Sequence, residues 1–359
     1  MDLLRLVLLF VIIELIRMIG WIKAMTKKVT ITDLAKIAGV SVTTVSQILN
    51  GKDQRFSQKT IDKINSLQRE LGYVPDFNAQ SLIRKSGRTI GVLVPNINNP
   101  FFSRFLRGIE DESIKQDYVP LIFGSNNNEQ MESRYLFESV RRAADGMIIA
   151  SAVSDLSYID NVLSQNQIPY MLIDQAPVHE GDMVDVDNYH GGQLLAEYLI
   201  KNGHKRVSIV TAVKPTRNIQ DRLQGFLDTY KANNVAINQD QIIEAELTKL
   251  GGYGATEQVI ANKPTAVFAI NDEMAFGLYR GLEESGFSIP DDISIVGYDD
   301  IDLSEYFTPK LTTVHQPAFE MGTNAAKLII QRIENEGIEN QKISLPVSLV
   351  ERDSVKKIN

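Results

Sequence analysis

Six groups of polar and aromatic residues in the later part of the chain are suited to gripping a small polyhydroxylated ligand. They are Asn99 with Phe101 and Phe102, Asp174 with Gln175, then Arg222, Asn271, Asp299 and Gln316. Carboxylates and a guanidinium make charge-assisted hydrogen bonds to hydroxyls. An aromatic face covers the apolar side of a sugar ring, and amides take the remaining hydroxyls. Taken singly, an Asp or Asn at such a place is more often a helix cap, and a Phe is more often core. The set points to a ligand because most members follow an expected strand, while Arg222 opens an expected helix and Gln316 closes the run Thr312-Thr313-Val314-His315. A second group lies near the N-terminus, where Val42, Thr43, Ser46 and Gln47 fall on the outward side of an expected helix, with Lys27, Lys52, Arg55 and Lys59 adding positive charge in the same stretch of sequence.

Other chemistries find no residues to carry them. The chain has no Cys, which excludes a disulfide scaffold, a zinc finger and a cysteine nucleophile. The four His show no metal-ligand spacing. No G-x-G-x-x-G follows the first strand and there is no P-loop. Asp174, Arg222 and Asp299 could be pictured as acid–base groups, but no nucleophile or metal accompanies them. A non-enzymatic protein without cofactor or metal is expected, and the absence of Cys fits the reducing cytoplasm.

The elements that must position the polar set alternate. Strands are expected at Thr89–Val94, Pro120–Phe123, Gly146–Ala150, Tyr170–Ile173, Val207–Thr211, Ala266–Ile270 and Ile293–Val296. Helical patterns lie between them near Ser103–Gln116, Met131–Arg141, Gly191–Asn202, Asp221–Asn233, Tyr253–Ala261 and Asp272–Gly286. Strands alternating with helices predict doubly wound parallel sheets. Ligands in such folds bind beyond the carboxyl ends of the strands.

The basic group sits on a different pattern. Thr30-Ile31-Thr32-Asp33 reads as a capping box before an apolar face at Leu34, Ala35 and Ala38. Gly39-Val40 breaks that helix, and Ser41 can cap the next, whose Val45, Ile48 and Leu49 face inward. A third helix starts at Ser57, buries Ile61, Ile64, Leu67 and Leu71, and ends at Gly72. Helix, glycine turn and helix with short polar residues outward is helix-turn-helix geometry, with a plain three-helix bundle as the alternative. Charge agrees. Residues 26–87 hold ten Lys and Arg against five Asp and Glu, residues 1–25 are net +1, and the whole chain is −8, so residues 88–359 carry −14. A basic head on an acidic body suits a protein whose head alone meets a polyanion.

Residues 1–24 are strongly apolar, with an unbroken run over Leu6–Ile13. That run is too short to span a bilayer, and the longer stretch carries Arg5, Glu14 and Arg17. We read it as an upstream extension before Met25, with a membrane anchor as the alternative; no stable membrane association is expected.

The stretch Val29–Gly51, VTITDLAKIAGVSVTTVSQILNG, closely resembles the headpiece of the LacI/GalR family of bacterial repressors, and the resemblance continues from Thr26 to Val355. It implies an all-α helix-turn-helix DNA-binding domain plus an α/β two-lobed, periplasmic-binding-protein-like core with doubly wound parallel sheets. It also implies double-stranded operator DNA and a small, ribose-like sugar as partners, and a homodimer as the acting unit. The expected domains are residues 25–73 as head, 74–87 as hinge and 88–355 as core. Lobe one would take about 88–188 and 317–342, and lobe two about 189–316 and 343–355. On the same resemblance Val42, Thr43 and Gln47 enter the major groove, and Lys27, Ser46, Lys52, Arg55 and Lys59 meet phosphates, which fix position rather than sequence; Gln47, which pairs best with adenine, departs from an Arg common in relatives. Asn78–Ile83 matches a hinge helix that folds on DNA, with Leu82 wedging into the minor groove beside Ala79 and Gln80; a disordered tether is the alternative from composition. The pocket set resembles the ribose-binding type, with one departure, Gln175, where that type has Arg. The implied mechanism is linkage: the ligand closes the lobes and weakens the grip on DNA, although some members reverse the sign. A periplasmic sugar carrier is the rival from another class, and it has no helix-turn-helix.

Overall fold

The structure, a computed structural model, describes residues 29–75, 86–151, 156–174, 181–335 and 337–358. Its contacts divide the chain between Gly87 and Arg88 into two units.

In the first unit, α1 (Ile31–Ala38), α2 (Val42–Leu49) and α3 (Gln58–Leu71) bury Leu34, Val45 and Ile64 completely. Local chemistry sets each boundary. The Asp33 amide donates to the Thr30 hydroxyl at 3.2 Å, and the Thr30 amide donates to the Asp33 carboxylate at 3.0 Å. Gly39 takes φ 71°, a left-handed turn that costs a side-chain-bearing residue far more. The Ser41 hydroxyl then accepts from the Thr44 amide at 3.0 Å and starts α2. Leu49, Ile61, Leu67 and Leu71 are partly buried and close the rim of this small core.

The second unit holds two parallel sheets. Lobe one runs β11-β5-β4-β3-β1-β2, built from β1 (Thr89–Val94), β2 (Val119–Gly124), β3 (Gly146–Ile149), β4 (Tyr170–Ile173), β5 (Asp182–Val186) and β11 (Lys342–Leu345). Lobe two runs β7-β6-β8-β9, from β6 (Val207–Ala212), β7 (Ile242–Ala245), β8 (Ala266–Ala269) and β9 (Ser294–Val296). A short antiparallel pair, β10 (Thr313–His315) and β12 (Ser348–Val350), forms a separate two-stranded sheet. Strands β1 and β6 are buried along their whole length and are mostly apolar, as parallel strands covered on both faces tend to be.

Helices cover the sheets: α4 (Pro100–Lys115), α5 (Glu129–Arg141), α6 (Leu156–Ser164), α7 (Asn188–Lys201), α8 (Arg217–Ala232), α9 (Lys249–Gly254), α10 (Thr256–Ala261), α11 (Asp272–Glu284) and α12 (Ala318–Glu334). Four helical segments begin about a turn earlier than the pattern predicts: α4, α7, α8, and the stretch read as one helix from Tyr253, which starts at Lys249 and divides into α9 and α10. Pro100 fits the first position of α4, where its missing N–H is not needed, so Phe101 and Phe102 lie in the helix rather than in a loop. Likewise α8 begins at Arg217, which places Arg222 in its second turn instead of at its opening. The lobe boundary also moves. Ile343 and Leu345 pair with Val184 and Val186 of β5, so lobe one extends through Leu345 and not only to 342. Strands β5, β7, β10, β11 and β12 and helices α6 and α12 were not expected from the pattern.

Candidate functional site

The carboxyl ends of the strands in both lobes open onto one cleft. Asn99, Phe101, Phe102 and Asp174 from lobe one and Arg222, Asn271, Asp299 and Gln316 from lobe two line a single cavity of about 120 Å³. That is well under the roughly 300–1,000 Å³ typical of pockets for drug-sized ligands, and suits a small guest. Gln175 lies outside the described residues, as do Lys27, the hinge residues Ala79, Gln80 and Leu82, and the segment 1–24.

Capping and lining prove compatible. Asn99 accepts from the Phe101 amide at 2.9 Å through Oδ1, and Asn271 accepts from the Met274 amide at 2.9 Å in the same way. A cap uses the carboxamide oxygen and leaves the NH₂ for a ligand acceptor. Phe101 and Phe102 meet edge to face at 5.1 Å, so the two rings present different surfaces to the cavity.

The charged centre is dry. Arg222 is 5% exposed. Its Nε donates to Asn188 Oδ1 at 2.7 Å, its Nη1 lies 3.7 Å from Asp299, and its plane sits 3.9 Å over the Tyr298 ring. Gln316 donates to Asp299 Oδ1 at 2.6 Å. Its own Oε1 is buried with no partner, and a buried orphan acceptor asks for a donor such as a hydroxyl. Asp174 accepts from Asn188 at 2.6 Å and from Asn218 at 2.7 Å. Burial pushes its pKa up to about 6, against the pull of Arg222 and the two amides. Burial also raises Asp299, with Arg222 opposing, and raises Asp272, which accepts from Thr313, Ser304 and the Ile301 amide.

In the first unit, Val42 and Thr43 are exposed on α2, with Ser46 and Gln47 half-buried on the same helix. Asn50 donates to the Ser46 carbonyl at 2.6 Å. The Arg55 guanidinium donates to Gln47 Oε1 and lies over Phe56 at 5.4 Å, so the expected base reader and an expected phosphate contact are joined in this structure. Lys52 and Lys59 are exposed nearby in sequence.

Residues 30–76 match the family described as bacterial regulatory proteins, lacI family, and residues 196–355 match the periplasmic binding protein-like domain. The HTH-type transcriptional repressor PurR of Vibrio vulnificus is 35% identical over 335 residues, covering 92% of this chain and 99% of that one. The chain belongs to the LacI family. Among solved structures, a LacI family transcriptional regulator from Enterococcus faecium with bound ribose is 40% identical, with TM-score 0.71, covering 76% of this chain and all of that one. The lac repressor dimer bound to operator and the anti-inducer ONPF is 26% identical, with TM-score 0.80, covering 92% of this chain and all of that one. This LacI-family member is a DNA-binding transcriptional repressor, not an enzyme. Among its described residues no helix is long and apolar enough to cross a membrane.

The sequence reading missed Asn188 and Asn218, which hold Asp174, and Asn127, Thr216, Ile219 and Leu247, which line the cavity. Asn188 and Asn218 lie in the first turns of α7 and α8, but strand β5 and the true start of α8 were both unread, so nothing marked those turns as facing the cleft.

Proposed function

We propose that this repressor silences a sugar-utilisation operon and releases its operator when a small unphosphorylated sugar, ribose foremost, binds between the lobes. The observation that carries the reading is the buried, unpartnered Gln316 Oε1 beside Asp299 and Arg222 in a small cleft cavity. Ribose-bound regulators from Enterococcus faecium and Enterococcus faecalis, each 40% identical, support the choice of sugar. Among the described lining residues there is no lysine and the one guanidinium is already engaged beside Asp299, so a phosphate dianion finds no free cation there.

In this reading Asp174, Arg222 and Asp299 bond hydroxyls, Asn99, Asn271, Gln316 and Gln175 complete them, and Phe101 with Phe102 stacks on the ring. Val42, Thr43 and Gln47 read base edges, while Lys27, Ser46, Lys52, Arg55 and Lys59 meet phosphates. Ala79, Gln80 and Leu82 enter the minor groove, and the acting unit is a homodimer. No cofactor or metal takes part. The boundaries proposed for head, hinge and core are residues 25–73, 74–87 and 88–355.

Fluorescence anisotropy of the full chain on DNA from upstream of its own operon tests this, with D-ribose, ribose 5-phosphate and a panel of other sugars. Release by ribose and not by its phosphate supports the proposal. Release by another sugar keeps the mechanism and removes ribose, drawing attention to Gln175. Tighter DNA binding with sugar reverses the sign. No DNA binding under any condition defeats the proposal.

A further inference from the structure

One lobe-one side chain outside the cavity reaches lobe two. Arg104 lies on α4, three residues after Phe101, and its guanidinium pairs with Asp302 and donates to the Asp300 carbonyl at 3.4 Å. The receiving turn, Asp299–Asp302, also supplies the cavity carboxylate Asp299. That turn is unusually constrained. Asp299 and Asp300 take φ 122° and 55°, conformations that side-chain-bearing residues seldom hold unless their surroundings impose them. The imposing contacts are present. The Asp300 carboxylate meets His315 Nδ1 at 2.9 Å and accepts from Arg352 at 2.6 Å. Asp272 accepts the Ile301 amide at 3.0 Å and the Ser304 hydroxyl at 2.7 Å. A stiff turn therefore joins the ligand-facing Asp299 to a charge on the opposite lobe.

We infer that Arg104 and the Asp299–Asp302 turn form a latch across the rim of the cleft, which holds the lobes together around the effector. The inference deepens the proposed function, because closure is the state the sugar would select. The ligand can shift the lobes only by its differential affinity for the two states, and a latch present in one of them sets that starting balance. The pair is exposed, with side chains 43% and 68% accessible, so its effect is modest and salt-sensitive.

The test uses the full chain, whose lack of Cys allows two labels to be placed uniquely. Nitroxides go on Glu129→Cys of lobe one and Lys214→Cys of lobe two, both exposed positions. Inter-lobe distances are measured by pulsed electron paramagnetic resonance without any sugar. Arg104→Asp alone and Asp302→Arg alone are expected to lengthen and broaden the distances, and the double swap to restore them. D-ribose titrated by calorimetry should bind about 2–5-fold more weakly to each single variant and recover in the double, with the difference shrinking at about 1 M salt. Unchanged distances in Arg104→Asp, or a double swap that stays open, would overturn the latch. The distance measurement needs no effector, so failure of ribose to bind the unmutated chain counts against the proposed sugar and leaves the latch to stand or fall on the distances.

Discussion

At the scale of single residues, burial and charge work against each other in the cleft. Asp174 accepts two amide N–H bonds, yet burial holds its pKa near 6. Its ionised form is the stronger acceptor for a sugar hydroxyl. Effector affinity should therefore be full at pH 7–8 and fall as the pH drops through about 6, which calorimetry across that range would read; a flat profile would remove Asp174 from the contact set. Arg222 carries a different burden. Replacing it by Met removes the cation that opposes burial at Asp299, so the cost in urea unfolding should be small in acid, where Asp299 holds a proton, and should grow as the pH rises through about 8. On the DNA side, Gln47 favours adenine where Arg favours guanine. Selection from random duplexes should return adenine at one half-site position, and Gln47→Arg should switch that position to guanine.

At the scale of elements, helix pairs hold the pocket residues in register. Gly192 on α7 and Gly225 on α8 let the two helices touch: a methyl added at Gly192 would lie 2.0 Å from the Arg222 carbonyl, and one at Gly225 would lie 2.0 Å from the Tyr189 carbonyl. These helices carry Asn188, Asn218 and Arg222. Gly225→Ala should push them apart, costing about 1–3 kcal/mol and weakening effector binding in the same variant. Unchanged unfolding and unchanged binding would mean that the helices tolerate separation. In the head, elements depend on caps. Ser41→Ala removes the acceptor for the Thr44 amide and should lower operator affinity through a loss of about 1 kcal/mol in head stability. The same pattern reading found α1 to α3 closely but lost α12 and the later strands. The head marks every boundary locally, with a capping box, Gly39, Ser41 and Gly72. Strand β11 is a short alternating segment, Lys342–Leu345, and becomes a strand only because β5 lies beside it.

At the scale of the whole molecule, charge is divided between the two units. The head region is net +5 and the core −14, so the salt dependence of DNA binding should arise from the head. Removing one phosphate contact, by Lys52→Ala or Lys59→Ala, should reduce the slope of log affinity against log salt by about 1 without changing sequence preference. The effector, binding only folded core, should raise core stability by about 2.7 kcal/mol at a hundred times its dissociation constant, read as a shift in thermal unfolding.

The amino-acid sequence by itself determined the helix-turn-helix, whose signals are local, and the parallel two-sheet core, whose signal is the alternation of apolar runs with helices. It also marked eight of the cavity residues, seven of them beside a strand end, although Arg222 proves to lie in the second turn of α8. Tertiary structure alone decided that these residues share one cavity, because they come from strand ends far apart in the chain. It decided that Asn188 and Asn218 brace Asp174, that Gln316 keeps an unused acceptor, and that lobe one extends through Leu345. Each of these depends on what lies opposite a side chain across the cleft or the sheet, and spacing along one chain carries no record of that.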